Sequence, residues 1–167
     1  MKLTELFSAE LERESTSSRR VLERVPEGRN DWKPHEKSMP LGYLAALVAG
    51  MPAWIDMMVN LDELDIASAA GVKFKPQVQS TARELVQTLD ASVAKAREAL
   101  TNTTDVHLMT PWKFIVSGHV VTEQPRHIML RDAVFSHLAH HRGQLTVYLR
   151  LNDAPVPSIY GPSADER

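Results

Sequence analysis

Residues 137–144 read HLAHHRGQ and place three of the chain's seven histidines within five positions. With about 100° per residue and His137 at zero, Leu130 and Tyr148 fall at about 20°, His141 at about 40°, Val134 at about 60° and Leu145 at about 80°. The stretch is therefore read as helix, with His137 and His141 inside its apolar stripe. On the same wheel His140 falls near about -60°, at the stripe's edge, and Arg142 near about 140°, pointing outward. Gln144, near about -20°, is the other polar residue aimed inward. The helix carrying this stretch should run from about Arg126 to Leu151, followed by an irregular tail marked by Pro155, Pro157, Gly161 and Pro162.

Three further helical patterns precede it. Leu3, Phe7, Leu11, Leu22 and Val25 recur at helical spacing and predict a first helix over residues 3–25. Its inward face carries Glu14, Ser15 and Ser18, which serve either as small residues for close helix contact or as a polar pocket wall. Ser38 is the expected N-cap of a second helix ending near Leu61, with Pro40 in its first turn and a local bend at Pro52. Tyr43, Leu44, Leu47, Met51, Trp54, Met58 and Leu61 should share one face of that helix. DELDIASAAGVKFKP reads as a connection, and Ser80 as the cap of a third helix ending near Asn102. The stripe of that third helix, Ala82, Leu85, Leu89, Val93, Ala96 and Leu100, holds no metal-ligand side chain, so it supplies wall rather than chemistry. Between Pro111 and Pro125, two β-branched runs flank Ser117-Gly118, the signal of a small hairpin. Four long helices with short connections predict an all-α, up-down four-helix bundle, with a short β-hairpin between helices 3 and 4 and functional groups facing the axis.

Composition bounds the function. A chain of 167 residues, 43% hydrophobic and 24% charged, suits a single domain spanning 1–167. Nineteen basic against twenty-one acidic residues give a net charge of -2 with no long run of either sign, so no nucleic-acid partner is expected. The absence of cysteine removes disulfides and thiolate ligands, leaving His, Asp, Glu or water to hold any metal. The N-terminus lacks the pattern of a signal peptide, and no run is read as approaching a membrane span, so the expected location is cytoplasmic. No phosphate loop, Rossmann fingerprint or Ser-His-Asp arrangement offers a competing catalytic class.

Two histidines at i and i+4 can direct imidazole nitrogens to one ion, as Zn²⁺ or Ni²⁺ requires, but two ligands are too few for a tight site. The alternative is a pair of core histidines satisfied by Gln144, the serines of helix 1 or water. His107 and His119 lie in connections and are read as surface residues.

HLAHHRGQ resembles the last-helix motif of the DinB-like superfamily of four-helix bundles, and the similarity extends from WKPHEKSMPLGYLA through the tail PVPSIYGPSADE. The family name implies neither polymerase activity nor DNA binding. The resemblance implies a divalent metal, often nickel or zinc, held by one histidine on helix 2 and two on helix 4. It further implies thiol-dependent transferase or isomerase chemistry, or hydrolase-like chemistry, on a small-molecule substrate with a low-molecular-weight thiol as partner, and a homodimer. The helix-4 ligands carry over to His137 and His141. The helix-2 ligand carries over to Leu47, within Leu44-Ala45-Ala46-Leu47-Val48-Ala49, where similar sequences have histidine. At 1.5 Å per residue, Leu47 lies about 12 Å and the two histidines about 15 to 20 Å below the starts of parallel helices, so the three positions are roughly level. Leucine has no lone pair, and the triad is incomplete. Glu14 and His35 are the candidates to substitute, with water as the remaining option.

Two functions follow. One is a metal-dependent enzyme in which His137 and His141 hold the ion and a bound water or thiolate is activated. The other is a non-catalytic small-molecule-binding bundle that has lost tight metal binding. Its pocket would be lined by Ser15, Ser18, Leu47, Trp54, Gln144, the histidine pair and Trp112.

Overall fold

The computed structural model describes residues 1–66 and 76–166, which are mostly helical with a small three-stranded sheet. Helix α1 spans Leu3–Leu22 and stops three residues before the predicted end. Its first amides are satisfied at long range, since Asp105 accepts from Leu3 N at 2.9 Å and Thr4 N at 3.1 Å. Those two hydrogen bonds, from Leu3 first and then Thr4, hold the Asp105 carboxyl below its ordinary pKa.

The predicted second helix is divided. Helix α2 covers Leu41–Gly50, a single 3₁₀ turn covers Met51–Ala53 with Pro52 in it, and α3 covers Trp54–Asn60. Proline at this point removes a donor and crowds the preceding turn, so the axis breaks where the bend is expected. Ser38 does not cap it; the helix starts after Pro40, with no side-chain cap. Leu61 lies beyond the helix and is exposed rather than inward. Leu41 to Ala49 are all buried apart from Tyr43, because α2 packs against both the third long helix and the last one. Taken across its break, Leu41–Asn60 is long and apolar enough to cross a membrane, contrary to the sequence expectation, but 61% of its most apolar 18-residue window is buried inside the fold, as in a core helix.

Helix α4 spans Ala82–Asn102, and its cap is Thr81 rather than Ser80. Thr81 Oγ1 accepts from Glu84 N at 3.2 Å, while Glu84 Oε2 accepts from Thr81 N at 3.1 Å, a reciprocal box that satisfies two otherwise orphaned amides. A short helix, α5 (Asp105–Leu108), leads into the sheet.

The expected lone hairpin is part of a larger element. Strands β2 (Pro111–Val116) and β3 (His119–Pro125) pair antiparallel, and β1 (Glu63–Ile66) adds to β2 in parallel, with Leu64 opposite Phe114. Ser117 and Gly118 both have positive φ, 51° and 80°, as a tight two-residue turn of this hand requires. Part of the segment read as a connection is thus a strand; most of the remainder, 67–75, lies outside the described residues. The parallel pairing is possible because a long helical crossover separates β1 from β2.

The last helix runs through α6 (Arg126–Met129), a π-helical stretch (Leu130–Ser136) and α7 (His137–Leu151). Among its described residues the tail carries no helix or strand, but it is fastened to the body. Glu166 pairs with Arg20 and Arg24, and Asp165 Oδ2 accepts from Arg150 at 2.5 Å.

Candidate functional site

Helix α7 packs against α1 on one side and α2 on the other, so its buried arc is broad. Tyr148, His141, Leu145, Leu138, Leu149 and Arg142 fall at about 20°, 40°, 80°, 100°, 120° and 140° on the wheel defined by His137, and all six are buried. His137 lies at one edge of this arc and is half-buried, and His140 lies beyond the edge and is exposed. Arg142 is therefore not outward-facing. It is 1% exposed and directed at α1, where Glu14 is 4% exposed.

The Arg142 guanidinium is the hub of a closed polar cluster. Nη2 donates to Glu14 Oε2 at 2.5 Å, while Nη1 donates to the Glu14 carbonyl at 2.9 Å and to Ser18 Oγ at 3.2 Å. The Tyr160 hydroxyl accepts from Arg142 and donates to Glu14 Oε2 at 2.8 Å, and Arg13 Nε reaches Glu14 Oε1 at 3.2 Å. Burial pushes the Glu14 pKa up, but the hydrogen bonds from Arg142 and Tyr160 and the Arg142 charge more than offset it, leaving the carboxyl below its ordinary value. Glu14 and Ser18 are thus committed to holding an arginine. Ser15 bonds the Glu12 carbonyl at 3.1 Å and also turns away from the histidines.

The histidine pair is close-set, with ring centroids of His137 and His141 4.4 Å apart. His141 Nδ1 lies 2.8 Å from Gln144 Oε1, and His137 bonds the Ala133 carbonyl. Desolvation is the largest influence on each ring and lowers both pKa values, with the mutual repulsion of the clustered histidines acting in the same direction. Each imidazole therefore carries one proton at neutral pH and retains one lone pair.

Beside His137 opens a cavity of about 400 Å³. Tyr43 and Leu47 of α2 and Trp54, Met57 and Met58 of α3 form one side. Leu64 and Ile66 of β1 with Trp112 and Phe114 of β2 form another, the period-2 alternation of each strand turning these four to one face. Met129, Ala133 and His137 close the third side. The Trp54 and His137 ring centroids are 5.9 Å apart. Of the pocket residues read from sequence, Leu47, Trp54, Trp112 and His137 line this cavity. Ser15, Ser18, Gln144 and His141 do not: the serines face the Arg142 cluster or the Glu12 carbonyl, and Gln144 is the hydrogen-bond partner of His141.

The β1 wall was hard to read because Leu64 and Ile66 belong to a four-residue strand whose partner, β2, lies far along the chain. The alternation in Glu63-Leu64-Asp65-Ile66 was its one clue. His107 is not a plain surface residue; it is half-buried with Nε2 2.8 Å from the Val59 carbonyl, whereas His119 is exposed. His35 is exposed, its Nδ1 accepting from Lys37 N at 3.2 Å.

These donors do not fit a three-ligand metal. Leu47, 9% exposed, lines the wall with His137, Glu14 is held by Arg142, and among the described residues no three His, Cys, Asp or Glu side chains converge as ligands.

A mostly helical domain with paired imidazoles on its last long helix and an apolar cavity beside them is the class that fold and site define. The chain belongs to the DinB family, matching it over residues 2–167. Its fold is similar to that of a DinB-like protein from Bacillus cereus, with a TM-score of 0.69, 22% identity, and 89% of this chain and 92% of that one covered. It is also similar to a DinB-like protein from Bacillus subtilis, with a TM-score of 0.66, 17% identity, and 96% and 98% covered. At such identities the likeness concerns the fold alone. No curated protein matches the chain.

Proposed function

We propose that this DinB-family protein is a small-molecule-binding domain that does not depend on a resident metal. The observation that carries this reading is Leu47. An isobutyl group lines the cavity beside His137 at the position where the resemblance calls for a third imidazole, and the nearest carboxylate candidate, Glu14, is saturated by Arg142, Tyr160 and Arg13. A cavity of about 400 Å³ is within the range of small-molecule sites. Protein purified from zinc- and nickel-supplemented medium should contain well under one ion per chain by elemental analysis, and chelator should leave its melting temperature unchanged. One tightly held equivalent that chelator removes with loss of stability would contradict the reading.

A second reading, a metal-dependent transferase, isomerase or hydrolase, is favoured by one feature. His137 and His141 stand adjacent, neutral and oriented by Ala133 and Gln144, as ligating histidines are. In that case both rings bind the ion and a third donor comes from solvent or substrate. Alanine at His137 or His141 would then lower metal content, while alanine at His140 would not.

A further inference from the structure

The cavity is unusual in what its wall omits. Among the described residues lining it there is no Asp, Glu, Lys or Arg. The buried cations elsewhere are committed: Arg142 to Glu14, and Arg126 to the Met58 and Leu61 carbonyls, Asp62 and Thr110. An ionised ligand would lose its water here and gain no counter-charge. What the wall supplies is flat and polarisable surface: the rings of Tyr43, Trp54, Trp112 and Phe114, with Met57 and Met58 between them. Aromatic faces stack on planar partners, and thioethers adapt to ring edges. Polar capacity is small. His137 offers a lone pair, and the indole N–H of Trp112, though without a hydrogen-bond partner, is fully buried rather than open to the cavity.

We infer that the cavity beside His137 takes an uncharged aromatic ligand of two or three rings with at most one or two polar atoms. This rests on the binding reading above and narrows it to a ligand class. Two fluorescent probes sharing one ring skeleton test it directly: neutral N-phenylnaphthylamine and anionic anilinonaphthalene sulfonate. Trp54 and Trp112 are two of the chain's three tryptophans, so energy transfer from tryptophan reports occupancy of this cavity. The neutral probe should bind at one site per chain, on the order of tenfold or more tighter than the sulfonate, a gap of about 1.4 kcal/mol or more. Ala133→Phe, which fills the cavity, should weaken the neutral probe at least about tenfold with the helical circular dichroism retained. Met57 is only half-buried, so Met57→Lys should fold whatever the fate of the filled variant, and it should shift the preference toward the sulfonate. Equal binding of the two probes, or tighter binding of the sulfonate, would overturn the ligand class and leave the binding reading standing. Failure of both probes to bind would overturn both, and binding indifferent to both substitutions would put the probe elsewhere and overturn the inference.

Discussion

At the scale of single residues, the decisive pair is Glu14 and Arg142. Each is more than nine-tenths buried and each is the other's main compensation, so removing one partner leaves an unpaired charge in the core. Arg142→Met should cost about 3–5 kcal/mol of unfolding free energy by denaturant titration, and adding Glu14→Gln should recover a large part of that loss. A single substitution costing under about 1 kcal/mol would contradict the pairing. The histidines give a pH signature. Both rings have pKa values lowered in the fold, with desolvation the first cause, so the unfolded chain takes up protons that the folded one refuses. Stability should therefore be full above the ordinary imidazole value of about 6.5 and fall as pH drops below it toward the folded pKa values. The exposed neighbour His140 adds repulsion to both rings. Melting curves between about pH 7.5 and 5.5 should flatten in the His137→Gln, His141→Gln double variant; an unchanged slope would show that neither ring is responsible. Glu14's inward direction was legible from the spacing of α1. Arg142's was not, although Leu138 and Leu149 lie within about 40° of it on the wheel, because Leu130 and Val134 of the preceding turns draw the expected arc toward His137.

At the scale of elements, the reason for that error is the π-helical stretch Leu130–Ser136. A π turn holds an extra residue, so a wheel carried across it at about 100° per residue loses phase, and Leu130 and Val134 cannot calibrate α7. Nothing in the composition of LRDAVFS announces such a turn. The long helices, the break at Pro52 and the Ser117-Gly118 turn were legible because periodicity, a missing donor and positive φ each leave a local mark. The third strand was not, because β1 finds its partner, β2, only through a long crossover. The cap of α4 offers a local test. Thr81→Ala should destabilise by about 1 kcal/mol, the usual worth of an N-cap, whereas Ser80→Ala should stay within about 0.5 kcal/mol. Denaturation of the two variants side by side checks the assignment, and the reverse ranking would restore Ser80 as the cap.

At the scale of the whole molecule, the fold brings α2, α3, the sheet and the last helix around one apolar cavity, with His137 in its wall, His141 beside His137, and the Glu14–Arg142 cluster between α7 and α1. Half of the expected site, the residues beside His137, was legible from helical spacing. The sheet wall was not, because it depends on long-range strand pairing. Leu47 stands in the wall beside His137 where a third imidazole would be needed, so the parent protein should hold zinc only weakly. Titration calorimetry of zinc into the parent and Leu47→His proteins is the most direct test. A third imidazole beside the His137–His141 pair should raise zinc affinity at least about tenfold, or about 1.4 kcal/mol, and the metal-free variant should melt below the parent and recover when zinc is added. Equal zinc affinity in a folded Leu47→His protein would mean either that position 47 does not meet the histidine pair or that the parent already completes its site with another donor.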